Sequence, residues 1–192
     1  MTGKKIKEAS LELIAERGYC QTTLSLIAKR VGIKKPSIYS HFQSKEEIFF
    51  SILEDEIKKL NAYMENIYND IEKYELEEML YIIIYRFVDY FNNNIILAKF
   101  WSLVMYFPPY SLEKEVKFDI TKYKIYECIY MNIKEKTKNK EIDEEKMQNI
   151  MYAYELILRG ILTMIIHDGN FTIEKLDQII KLYFNGINKE VS

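Results

Sequence analysis

Three lysines stand where a helix backbone is already positive. In GIKKPSIYSHF, from Gly32 to Phe42, Lys34 and Lys35 precede Pro36; in SKEEI, Lys45 follows Ser44. Both stretches read as helix starts. Pro36 fits a first helical turn, where a missing N–H is harmless, and Ser44 with Glu47 has the spacing of a capping box. Helix N-termini favour Asp or Glu, so each lysine there disfavours the isolated helix by roughly 0.3 kcal/mol or more. Free N–H groups and ammonium groups together bind phosphate. A local rule broken at two neighbouring helix starts points to function over stability. Exposed lysines without a task are the plain alternative.

The elements that must position these lysines are short helices. Ile6, Ala9, Leu13 and Ile14 keep helical spacing, and Gly18 supplies a stop. Thr23 is placed to cap a second helix, whose Leu24, Ile27, Ala28 and Val31 fall at i, i+3, i+4 and i+7. Gly32 follows at once as a left-handed terminator. Ile38 and Phe42 then share a face at i, i+4. Small Ala28, turn-making Gly32 and apolar Ile38 have the spacing of a helix-turn-helix; two core helices of a larger bundle are the alternative. The second helix of such a motif presents its N-terminal residues to the major groove. Residues 1–50 carry nine Lys/Arg and five Asp/Glu, net +4; the whole chain is −2, which leaves −6 for the remainder. A basic head on an acidic body suits a polyanion partner.

From Ile6 to Ile48 the sequence resembles the DNA-binding domain of TetR-family transcriptional regulators. The matching residues are Ala9, Leu13, Gly18-Tyr19, Thr22-Thr23, Ile27-Ala28, Gly32-Ile33, Ile38-Tyr39, His41-Phe42 and Lys45-Glu46-Glu47-Ile48. The resemblance implies that Thr23 and Ser25 meet a phosphate or a base edge. Lys34, Lys35, Pro36 and Ser37 open the recognition helix, with Ser40 and His41 further along it. Tyr39 resembles a tyrosine that bonds backbone phosphate, and Lys45 a lysine that grips phosphate. Ile38 and Phe42 are expected to be buried. Many relatives carry a capping Ser where this chain has Lys34, so the recognition helix is expected to fray without DNA. His41 has no second metal ligand nearby, and no metal or cofactor is expected.

The expected fold is all-α: a three-helix DNA-binding domain at 1–50 and a helical effector-binding and dimerisation domain at 51–192. A long apolar stripe runs from Phe49 to Ile67. Later helices are expected at about 76–91, 95–107 and up to 136, then over 147–165, with a last one capped by Thr172. The middle helices hold an aromatic and sulfur-rich set for a small apolar or aromatic effector: Phe87, Phe91, Trp101, Met105, Tyr123, Tyr126, Tyr130, Met151 and Tyr154. Core packing is the bland reading of the same residues. Glu155 is placed either to meet a cationic ligand or to pair with Arg159 at i+4. The family's last two helices pair with their twins; here that implies a homodimer through Ile157, Leu158, Ile161, Leu162, Ile165, Leu176, Ile179, Ile180 and Tyr183. A two-fold dimer reads a near-palindromic operator.

No phosphate loop, HExxH or Cys/His pair marks an enzyme, and two histidines leave little for general base work. A helical small-molecule-binding protein or enzyme that has lost DNA binding is the alternative function. Cys20 and Cys128 lie far apart, and no signal sequence or uninterrupted membrane-length apolar run is read. A cytoplasmic protein with no membrane partner is expected.

Overall fold

The computed structural model describes residues 2–71, 73–112, 116, 124–136, 143–168, 172, 174–178 and 180–182, without the side chains of 68–70, 124–126, 128, 136 and 168. All regular elements among them are helical. They form two compact units, 1–62 with 95–118 and 63–94 with 119–192.

The first unit holds α1 (Thr2–Gln21), α2 (Leu24–Val31), a 3₁₀ helix (Lys35–Ile38), the opening of α3 (Lys45–Ile71) and α5 (Ile95–Tyr106). Gly18 stands inside α1 at φ 81°, ψ 163°, and breaks its helical path there. That value is open to glycine and strained for other residues. Ile6, Leu13, Ile14, Ile27, Ile38 and Ile48 are all within 2% of full burial. α5 packs on α1. Its Phe100 lies 5.7 Å from Phe49, which meets Tyr19 edge-on at 5.2 Å. The helix at 95–107 expected in the C-terminal domain therefore completes the core of the N-terminal unit.

In the second unit, α4 (Leu76–Asn92) packs against α6 (Lys124–Lys136) and α7 (Glu144–Asp168). Asp143 caps α7 by accepting from the Lys146 N–H at 2.8 Å. Thr172 accepts from the Lys175 N–H at 3.4 Å and opens the helical residues 174–178. α7 is apolar enough over Glu144–His167 to cross a membrane by length and composition alone. Its buried residues, among them Met151, Tyr154, Ile161 and Leu162, form one face. The opposite face leaves Tyr152, Leu156 and Met164 exposed.

Candidate nucleic-acid interface

α2, which leads into the turn before the 3₁₀ helix, is closed at both ends. Thr23 caps α2, its Oγ1 accepting from the Leu26 N–H at 3.2 Å. Gly32 ends it at φ 79°, ψ 30°. The Ile33 N–H reaches the Ala28 carbonyl at 2.9 Å and the Gly32 N–H the Lys29 carbonyl at 3.3 Å. This pair of bonds is a Schellman ending, which satisfies the last carbonyls of the helix. The chain reverses there, and the 3₁₀ helix packs back on α2 with Ile38 fully buried. Arg30 fixes α2 to α1 through Glu12 and both oxygens of Glu16, at 3.0–3.3 Å. Its guanidinium holds the Glu16 carboxyl below the ordinary value.

The expected recognition helix is a single 3₁₀ turn. Lys34 occupies the cap position at φ −78°, ψ 143°, with no side-chain hydrogen bond to the free N–H groups. Bonds run from Ser37 N–H to Lys34 O at 2.9 Å and from Tyr39 N–H to Pro36 O at 3.2 Å. The physical reason is local: no capping oxygen and two cations at the positive end. Ile38 and Phe42 are buried as expected. Lys34, Lys35, Pro36, Ser37, Tyr39, Ser40 and His41 are exposed, as are Thr23 and Ser25.

Lys45 is held differently. Ser44 Oγ accepts from the Glu47 N–H at 3.0 Å, and the Glu47 carboxylate accepts from the Gln43 N–H. The expected box is therefore present, displaced by one residue on its return arm. The Lys45 ammonium donates to the Tyr19 carbonyl at 2.9 Å and lies 3.9 Å from the centre of the Tyr19 ring. Burial lowers the Lys45 pKa and raises that of Tyr19. Tyr19 was not assigned a binding role from the sequence; nothing in the spacing joins residues 26 apart.

Charge marks the same surface. Arg17, Lys29, Arg30, Lys34, Lys35 and Lys45 follow one another with no Asp or Glu between Arg17 and Lys45. Arg30 and Lys7 are paired with carboxylates. Among the described residues, no carboxylate lies in ion-pair reach of Lys29, Lys34, Lys35 or Lys45.

Residues 6–52 match the family model described as bacterial regulatory proteins, tetR family. The fatty acid metabolism regulator protein of Bacillus subtilis (strain 168) is 37% identical over 81 residues, 42% of this chain and 40% of that protein. IcaR of Staphylococcus aureus (strain Newman), a negative transcriptional regulator of the biofilm operon icaADBC, is 44% identical over 63 residues, 33% of this chain and 32% of its own. Aligned sequence thus spans less than half of these curated relatives. The fold match is longer. The crystal structure of the regulator FadR from Bacillus subtilis in complex with stearoyl-CoA has TM-score 0.73 at 22% identity, covering 94% of this chain and 96% of that one.

Residues 6–52 are a TetR-type DNA-binding domain. The chain's relatives are regulators, not enzymes.

The second unit disposes the expected effector residues in several places. Phe87, Phe91, Met151 and Tyr154 are buried in its core, and the Tyr154 hydroxyl donates to the Leu80 carbonyl at 3.0 Å. The Tyr130 hydroxyl donates to Glu144 at 3.1 Å. Glu155 pairs with Arg159, the second of the two roles open to it. Trp101 and Met105 belong to the first unit. Tyr123 and the Tyr126 side chain lie outside the described residues, as do Ile179 and Tyr183. Of the expected dimer residues, Ile161, Leu162, Ile165, Leu176 and Ile180 are buried within the unit; Ile157 and Leu158 are half-buried. A cavity of about 630 Å³ in this unit is lined by other residues, between the end of α3 and α4, with Tyr63, Tyr85, Lys73 and Arg86 among them.

Proposed function

We propose that this chain is a dimeric, ligand-released transcriptional repressor of the TetR type that binds a near-palindromic operator. One observation carries the reading: exposed Lys34 and Lys35 have no carboxylate partner among the described residues, beside the helix-turn-helix, while neighbouring Lys7 and Arg30 are neutralised. Cations left in water at that site are free to displace counterions from phosphate. Lys35, Ser37, Ser40 and His41 would face base edges; Tyr39 and Lys45 would hold phosphate. The named negative regulator among its relatives supports repression.

The outer face of α7 supports the dimer. Tyr152 and Leu156 are 61% and 68% exposed, Met164 follows at the same face, and Gly160 lies between them with open space where a Cβ would stand. A second copy covering this face would remove that apolar area from water. A two-fold pair then sets half-sites about 34–36 Å apart. The effector acts through its differential affinity for two states. α3 opens with Lys45 and ends at the cavity residues Ile67 and Ile71.

Selection of random duplex DNA on purified protein, followed by salt titration of the best site, tests the proposal. A palindromic site with steeply salt-dependent binding is expected. Failure to enrich any sequence at low salt, with and without candidate effectors, refutes it.

A further inference from the structure

We propose that the cavity between the end of α3 and α4 binds an amphiphile with an apolar tail and an anionic head, the head being held by Arg86 and Lys73. The inference takes from the proposed function only that the second unit accepts an effector.

Four observations carry it. The cavity holds about 630 Å³, inside the range of roughly 300–1,000 Å³ usual for small-molecule sites. Its floor is apolar: Ile67 and Ile71 are 6% and 1% exposed, with Ile82 beside them. Its rim is aromatic and cationic, formed by Tyr63, Tyr74 and Tyr85 with Lys73 and Arg86. The Lys73 ammonium lies 5.3 Å from the Tyr74 ring centre. The fourth concerns charge. Residues 51–192 carry a net −6, yet no carboxylate is among the described lining residues.

The nearest acid along α4 is committed elsewhere. Asp89 takes the Asn93 amide at 3.1 Å on one oxygen and the Tyr63 hydroxyl at 3.5 Å on the other. The same Tyr63 hydroxyl reaches the Arg86 carbonyl at 3.2 Å. Among the described residues no carboxylate is in ion-pair reach of Arg86 or Lys73. A planar guanidinium matches a carboxylate or a phosphate oxygen pair. The tail would lie on the isoleucines, where each buried methylene contributes by leaving water. A cationic effector, the sequence's option through Glu155, has no matching acid here, since Glu155 is paired on its own helix.

The test is calorimetric titration of the full chain with dodecanoate, dodecanoyl-CoA and the neutral monododecanoyl glycerol, each below its aggregation concentration. Wild type is compared with Arg86→Gln/Lys73→Gln and with Asn66→Trp, which fills the cavity from an exposed lining position. Melting curves check the fold, and operator affinity is recorded beside binding. Both anions are expected to bind at one per chain, with the double variant weaker by at least about 10-fold, the neutral probe unaffected by it and Asn66→Trp blocking all three. Preference for the thioester assigns the head to phosphate; preference for the free acid assigns it to carboxylate. Equal binding of the neutral probe, indifference to Arg86 and Lys73, or absence of any binding overturns the inference. Anion binding that depends on both cations but leaves operator affinity unmoved upholds the site and refutes the effector role.

Discussion

Replacing Lys45 by Gln separates a phosphate contact from a structural one. The ammonium has three donors; one is spent on the Tyr19 carbonyl at 2.9 Å, and the ring covers another side at 3.9 Å. The remaining direction is free for phosphate at the N-terminus of α3. Losing one phosphate contact lowers the slope of log K against log salt by about 0.9. Across a fourfold rise, from about 50 to 200 mM salt, that is an about 3.5-fold smaller loss of affinity than wild type shows. At the low-salt end the variant should bind about 10-fold more weakly, the scale of one hydrogen bond to a charged group. Stability should change little. The Tyr19 carbonyl keeps the Thr22 N–H at 3.1 Å, and a partly desolvated charge is removed. Tyr19→Leu keeps the carbonyl and loses the ring face, so it should retain the wild-type slope and weaken binding by roughly 2–5-fold, the size of a partly exposed cation–π contact. Fluorescence anisotropy on an operator duplex at five salt concentrations gives both quantities. A slope equal to wild type in Lys45→Gln refutes the assignment, as does an affinity loss accounted for by a lowered melting temperature.

Gly32→Ala should destabilise the chain by about 1–2 kcal/mol in guanidinium melts, because its φ of 79° penalises a Cβ although no atom stands in the way; an unchanged midpoint refutes the Schellman ending. Gly160→Ala should stabilise an isolated helix by about 0.8–1.0 kcal/mol, yet weaken a dimer whose partner crosses there. Sedimentation across concentrations distinguishes the two, and a melting rise with unchanged association removes this face from the interface. Tyr81 donates to Asp177 at 2.7 Å and its pKa is pushed up to about 12. The unfolded tyrosine ionises first, near 10, so this stabilisation is full below pH 10 and lost as pH rises through 10 toward 12. Tyr81→Phe should flatten that part of the alkaline stability loss, read from chemical melts at pH 8, 10 and 11; an identical pH profile refutes the linkage.

What the sequence reveals is local. Thr23, Gly32, Ser44 and Thr172 each make the cap that their type and neighbours predict, because caps are settled within four residues. Pairing across the chain is not local. The contact of Lys45 with Tyr19 depends on the positive φ of Gly18, which turns the chain so that the Tyr19 carbonyl meets α3. The placement of α5 is equally hidden: an apolar helix carries no mark of the unit it joins, and Phe100 finds Phe49. On α7 apolar residues occupy nearly the whole circumference. Periodicity identifies the helix there but not which face the unit keeps, and Ile161, Leu162 and Ile165, expected at an interface, are buried within the unit. The cavity escaped for a related reason. Its lining mixes Ile, Tyr, Lys and Arg from two helices and a turn, so no composition signal marks it.

The lysines at the two helix starts face the same penalty, and the fold meets it in two ways. At Lys45 the helix is stabilised by a box from Ser44 and Glu47, with Glu46 in its first turn, and the ammonium is drawn aside onto a carbonyl and a ring. α3 therefore begins on time despite its cation. At Lys34 and Lys35 nothing compensates. No side chain caps the turn, no acid stands in its first turn, and only a 3₁₀ helix forms. An α-helical turn there needs acceptors for its free N–H groups. A phosphate would supply both the acceptor and the counter-charge. In the proposed function, the element that reads the operator is thus completed by the operator, while the element that grips it is built beforehand.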